Sequence, residues 1–280
     1  MKHGIDVKNI RKYGGEPFRA AVIHGGPGAP GEMAPVACEL SSVCGVLEPL
    51  QTAGTIEGQV RELKTVLEKY GSLPVTLIGH SWGAWLSFIF TARYPSLVSK
   101  LVLIASGPFA DKYTVDMMAT RLERLGEGER KEVLSLQERL ENSAFEDKNA
   151  AMTRFGELLA YADSFDPLPH DSETLECRYD IYQNVWEQAS ELRSSGMLLA
   201  LGKEIKCPVV AIHGDYDPHP AEGVREPLTG IVRDFRFIRL EKCGHYPWWE
   251  RSARERFYDI LKSEVHQEVT DTALKRLRKG

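Results

Sequence analysis

Long apolar runs, cysteine pairs and an excess of basic charge are all missing from this chain. The longest nearly apolar stretch, Ala84 to Ala92, is nine residues, about half of the ~20 that a membrane-spanning helix needs. The opening segment MKHGIDVKNIRKYGGEPF has no apolar h-region, so no secretory signal is expected. The five cysteines (Cys38, Cys44, Cys177, Cys207, Cys243) are odd in number, scattered and without a C-x-x-C pair. That pattern predicts reduced thiols in a cytoplasmic protein and argues against both a disulfide framework and a zinc site. Lys+Arg 35 against Asp+Glu 40 leaves a net charge of −5, without the basic field that nucleic acids and anionic membranes usually require. The partner expected is a small-molecule or short-peptide substrate, with no nucleic acid and no membrane; a homo-oligomer is compatible with the composition. There is no internal repeat and no low-complexity tract. What remains is 280 residues, 42% hydrophobic and 27% charged, sized for one large α/β domain or a core with an inserted subdomain.

Short β-branched runs alternate with longer helical patterns. Strands are predicted at Phe18–His24, Cys44–Leu47, Val75–Ile78 and Leu101–Ala105. Helices are predicted near Met33–Leu40, Glu57–Tyr70 and Trp82–Tyr94, the last stopped by Pro95. The strand runs are continuous rather than alternating, which is the pattern of strands covered on both faces, and strand–helix alternation predicts a parallel sheet. After Gly107-Pro108 the character changes. Tyr113 to Ala200 contains no convincing strand, and Leu175, Tyr179, Tyr182 and Trp186 fall on one helical face. Strand signals resume at Pro208–His213 and Phe235–Leu240, with a final helix near Ser252–Glu264 and a polar stretch from Val265 that is expected to be a solvated tail or a terminal helix. This divides the chain into a core of residues 1–107 and 203–280 and a helical cap of residues 108–202.

Gly79-His-Ser-Trp-Gly83 places G-x-S-x-G between a strand and a helix. A sharp strand-to-helix turn strains the serine, and glycines on either side leave room for neighbouring backbone. Ser81 is the expected nucleophile, lying at a helix N-terminus that favours developing negative charge. A serine hydroxyl needs a base, and the base an orienting acid. His245, in Cys243-Gly-His-Tyr-Pro247 just past the last strand, is the expected base; His24 and His213 are expected to brace loops. Gly214-Asp-Tyr-Asp217 offers two acids after the preceding strand. Asp217 is favoured, with Asp215 as the alternative and Asp111 a more distant third. The order Ser81, Asp217, His245 is nucleophile, acid, base. Oxyanion donors are expected from the Trp82 amide and from Gly26 in the loop His24-Gly-Gly-Pro-Gly28.

Gly26-Pro-Gly-Ala-Pro-Gly31 also spells G-x-G-x-x-G, and Glu48 lies 48 − 28 = 20 residues past Gly28, where a ribose-binding acid would sit. Against a dinucleotide site, Pro27 and Pro30 delete amide donors from the loop that would cradle a pyrophosphate, and the elbow would be left unexplained.

On these residues the chain resembles the α/β-hydrolase superfamily and, through His-Gly-Gly-Pro-Gly paired with Ser-Trp-Gly, its proline iminopeptidase-like (prolyl aminopeptidase) group. The resemblance implies a twisted, mostly parallel sheet flanked by helices and covered by a helical cap. It also implies release of an N-terminal residue, often proline, from small peptides, with no metal or organic cofactor. The Asp-Gln-Arg-Gly segment of that group is replaced here by Leu47-Glu-Pro-Leu-Gln-Thr52, and the cap lacks the Glu-Asn signature that holds a substrate amine. Glu176, Asp180 and Glu187 are the cap acids available for that task. Tyr179, Tyr182 and Trp186 are candidates for an acyl pocket, and Trp248 for the site rim. A carboxylesterase or other small acyl hydrolase is the alternative function, and a non-catalytic binding protein a remote one.

Overall fold

A computed structural model describes residues 9–142, 144–171 and 175–277. The chain runs through β1 (Ile10–Tyr13), β2 (Phe18–Ile23), α1 (Ala34–Leu40), β3 (Gly45–Pro49), α2 (Ile56–Tyr70), β4 (Gly71–His80), α3 (Trp82–Arg93) and β5 (Val98–Ile104). Five helices follow: α4 (Met117–Arg124), α5 (Glu127–Glu141), α6 (Lys148–Ala162), α7 (Tyr179–Ser194) and α8 (Met197–Ala200). The chain closes with β6 (Val209–Gly214), α9 (Glu222–Thr229), β7 (Phe235–Leu240) and α10 (Arg254–Leu277). The seven strands order as β1-β3-β2-β4-β5-β6-β7, parallel throughout except for β1, which pairs antiparallel with β3. The strand order reverses between β2 and β4, and ligands of open parallel sheets bind outside the carboxyl ends at such a reversal.

The strand pleat divides the core in two. Ala21, Ile23, Leu77, Leu101, Leu103, Val209 and Ala211 face α2, α3 and α7. Their neighbours Ala20, Val22, Ile78, Val102, Ile104, Val210 and Ile212 face α1 and α10. Both faces are covered, which is why these strands are apolar at most positions. The helical block splits in its packing as well. Helices α4 to α6 close around a separate cluster containing Leu125, Val133, Leu136, Leu140, Phe155 and Leu158, whereas Ile181, Val185 and Ala189 of α7 join the main core.

One expectation needs correction here. Helix α7 begins at Tyr179, so Leu175 precedes it and is exposed. The sealed face is Ile181-Val185-Ala189 at i, i+4, i+8, with Tyr182 and Trp186 on its flank. At the other end, α10 runs on past Glu264. Val265 is buried, and the Glu264 carboxylate and carbonyl take Lys100 Nζ at 3.1 and 2.9 Å.

Candidate active site

The carboxyl edge of the sheet collects every loop that the sequence reading singled out. The Ser81 amide extends the ladder by donating to the Ile104 carbonyl (3.0 Å) before the chain turns into α3. The turn forces Ser81 to φ 50°, ψ −114°, a region costly for any residue with a Cβ and typical of strained functional positions. Its glycines have a steric reason. A Cβ on Gly79 would stand 2.1 Å from the Gly83 carbonyl oxygen, and one on Gly83 would stand 2.3 Å from that of Ile23. The loop after β2 also comes near, since a Cβ on Gly25 would be 3.1 Å from Ser81 Cβ. Gly26 adopts φ +46°. Neither its amide nor that of Trp82 has an acceptor among the described residues.

Past β6, Asp217 is buried and receives three imidazoles. His245 Nδ1 donates to Oδ2 at 2.8 Å, and His219 Nδ1 donates to Oδ1 at 2.8 Å, reinforced by the His219 amide at 2.9 Å. His213 Nε2 stands 3.5 Å from Oδ2 and donates to the His219 carbonyl at 2.7 Å. Burial alone would raise the Asp217 pKa, but the three imidazoles overcome it and hold the carboxyl well below the usual range. Burial opposes charge on His245 too, yet Asp217 outweighs it and the imidazole is raised. His219 goes the other way. Desolvation prevails, lowering it to about 4, so it stays neutral at pH 7. Asp215 takes a different task, accepting the Cys243 amide at 3.2 Å. Asp111 is exposed and paired with Arg193 at 2.6 Å. Cys243 is buried, and desolvation pushes its thiol up and away from reactivity.

Asp217, His219 and His245 also bring potential metal-ligand atoms within 4.8 Å of one another. Each imidazole Nδ1 is already committed as a donor to a carboxylate oxygen, so the cluster is satisfied as a hydrogen-bonded assembly.

Two further charged groups hold the site from behind. Glu32 Oε1 accepts the Gly25 amide at 2.6 Å and His80 Nδ1 at 2.5 Å, and His80 Nε2 donates to the His245 carbonyl at 3.0 Å. Burial would raise Glu32, but the His80 ring and the Gly25 amide lower it instead. The Ser81 turn, the loop after β2 and the His245 loop are thereby tied together. From the helical block, Arg121 makes a bidentate pair with buried Asp163 at 2.7 and 2.6 Å, and the Asp163 carbonyl accepts the His245 amide at 2.9 Å.

Among the cap residues, Tyr182 stacks on Trp186 (6.2 Å, 8°) and Trp186 on Trp85 (5.8 Å, 2°), giving an aromatic wall one turn along α3 from Ser81. Tyr179 packs with the separate α4–α6 cluster and donates to the Leu140 carbonyl at 2.8 Å. Glu176, Asp180 and Glu187 are all exposed, and Asp180 is engaged by Arg178 at 2.9 and 3.1 Å. Trp248 is no rim residue. It is fully buried, edge-on to His80 at 4.8 Å. Glu48 is turned from the Gly26–Gly31 loop toward β1, where Tyr13 donates to it at 2.8 Å and Arg11 stands at 3.5 Å. The loop itself is covered, the Leu175 and Arg178 amides donating to the Pro30 and Gly28 carbonyls. His219, Glu32 and Arg121 were not singled out from sequence. For His219 a signal existed, two residues past the favoured acid.

The sequence profile of a family described as alpha/beta hydrolase fold matches residues 27–252. A curated relative, the 2-hydroxy-6-oxononadienedioate/2-hydroxy-6-oxononatrienedioate hydrolase of Paraburkholderia phymatum, is 25% identical over 206 residues, 72% of this chain. The chain spans 65% of the length of that relative. The meta-cleavage product hydrolase of Pseudomonas fluorescens IP01 superposes with a TM-score of 0.63 at 17% identity, covering 93% of this chain and 94% of its own. The proline iminopeptidase of Mycobacterium smegmatis superposes at 0.59 and 17% identity, covering 92% and 94%. At such identities the two structures speak for the fold alone. Among the described residues, no helix is long and apolar enough to cross a membrane.

Proposed function

This chain belongs to the alpha/beta hydrolase fold family, and from that premise we propose that it is a serine hydrolase working through an acyl-enzyme. Ser81 attacks a carbonyl carbon while His245 takes its proton. Asp217 holds the imidazole tautomer and stabilises the imidazolium, and the Gly26 and Trp82 amides receive the oxyanion. The proton on His245 then passes to the leaving group. Water activated by the same histidine finally releases the acid. The observation that carries this reading is the hydrogen bond from His245 Nδ1 to a buried Asp217, on a loop at the same sheet edge as a serine held in a strained strand-to-helix turn.

For the substrate, the geometry favours a small ester or related acyl compound over an N-terminal peptide. An aminopeptidase must neutralise a substrate ammonium. Each buried carboxylate among the described residues is already engaged: Glu32 by His80, Glu48 by Tyr13, Asp163 by Arg121, Asp217 by its histidines, Glu264 by Lys100, and Glu250 by backbone amides. The Tyr182–Trp186–Trp85 stack suits an apolar acyl group. The aminopeptidase reading keeps a second place through His-Gly-Gly-Pro-Gly and Ser-Trp-Gly, and through the likeness to a proline iminopeptidase. A fluorophosphonate probe should label the wild type and not Ser81→Ala, with Asp217→Asn slowing ester turnover by about ten-thousand-fold. Equal labelling of both forms would remove Ser81 as nucleophile. Short p-nitrophenyl esters should be turned over faster than Pro-β-naphthylamide, and the reverse ranking would restore the peptidase.

A further inference from the structure

Glu250 is completely buried, meets no cationic side chain among the described residues, and has no part in the acyl chemistry just described. Its carboxylate instead gathers three backbone amides at 2.8 Å. Oε1 accepts Gly244 and Phe165, and Oε2 accepts Asp166. Gly244 belongs to the histidine loop; Phe165 and Asp166 belong to the segment leaving α6. Around this point the two segments lie against each other as an isolated antiparallel bridge between Pro167 and Glu250. Backbone bonds flank it from Leu168 to Trp249 (2.7 Å), from Arg251 to Asp166 (3.0 Å) and from His245 to Asp163 (2.9 Å). The approach is too close for a side chain on Gly244, whose Cβ would stand 2.0 Å from the Asp163 carbonyl oxygen.

The geometry points to Glu250 as a positioning residue that clamps the exit of α6 onto the histidine loop, so that the helical block itself fixes the backbone of His245. The inference rests on the hydrolase reading above. It follows that the 163–168 segment is part of the catalytic scaffold and stays in place when substrate enters. A carboxylate suits the position because it only accepts. Glutamine would present an NH2 group to amides that also donate, breaking at least one of the three bonds at nearly constant volume.

The test compares wild type with Glu250→Gln, following the second-order rate of fluorophosphonate labelling across pH. The groups facing His245 are Asp217 and His219 from the β6–α9 loop, His80 from β4, the adjoining Tyr246, and Asp163 and Arg121 from the helical block. Asp217 is what raises the histidine. Loosening the clamp should slow labelling about tenfold to a hundredfold and move its acid limb to lower pH. Unchanged labelling and an unmoved limb in folded E250Q would overturn the assignment. A slower rate with an unmoved limb would also overturn it, reducing Glu250 to packing. Should E250Q not fold, amide hydrogen exchange on the wild type decides: Gly244, Phe165 and Asp166 should be protected alike, and fast exchange at Phe165 and Asp166 beside a protected Gly244 refutes the clamp. Wild type that takes no label at all refutes the hydrolase reading instead, and the exchange measurement still tests the clamp.

Discussion

Glu48 shows what a single buried carboxylate does to stability. It is fully covered, and desolvation pushes it up to about 7 despite the Tyr13 hydroxyl and the Arg11 guanidinium, which both pull it down. A folded-state pKa above the ordinary glutamate value means that folding favours the protonated form. The contribution is therefore present in full below about pH 4, and is lost as pH rises through 7. The shift corresponds to roughly 3 kcal/mol. Glu48→Gln keeps an acceptor for Tyr13 and removes the titration. Urea denaturation should find it more stable than wild type at pH 8, with the gap closing toward pH 5. An equal gap at both pH values would refute the argument. Sequence spacing offers Glu48 as a ribose-binding acid; its burial against the edge strand decides otherwise.

The loop between β2 and α1 is where conformation and contact separate. Gly26 and Gly28 both have positive φ, +46° and +79°, so alanine is strained at either by roughly 1–2 kcal/mol. Their surroundings differ. A Cβ on Gly26 meets only Ala29 Cβ at 3.5 Å, whereas one on Gly28 would stand 2.4 Å from the Arg178 carbonyl oxygen at the start of α7. Gly28→Ala must therefore displace the helix entry as well as strain the loop. It should cost clearly more than Gly26→Ala in urea denaturation, and equal losses would mean that only the dihedral matters. The same packing explains why the aromatic stripe of α7 is not its sealed face. Its aromatic positions share a helical face, but the tight contact at Gly28 seats Ile181 against the loop and leaves Tyr182 and Trp186 to the side.

Across the whole molecule, stability is divided unevenly. Helices α4 to α6 rest on their own small cluster, while α7 shares the main core beneath the sheet. Cooperative units with few shared apolar contacts open separately. Native-state hydrogen exchange should find α5 and α6 opening at lower free energy than α7 and the central strands. Equal opening energies throughout would show one cooperative unit. The bridge at Pro167–Glu250 lies just past the end of α6, where the chain leaves that separate cluster.

Read alone, the sequence determined the parallel sheet, because strands buried on both faces are largely apolar and here recur in alternation with helical patterns. It also made the elbow and the Gly-rich loop legible through their glycine spacing, although the backbone that crowds Gly83 and Gly28 comes from Ile23 and Arg178. It could not show β1, whose Ile10-Arg-Lys-Tyr13 is half polar because it is an edge strand held by pairing rather than burial. Nor could it place His219 on the second oxygen of Asp217, or bring Glu250 to amides 85 residues away. Those contacts depend on loops from different strands meeting at one edge of the sheet, and only the folded chain sets which donors reach a buried carboxylate.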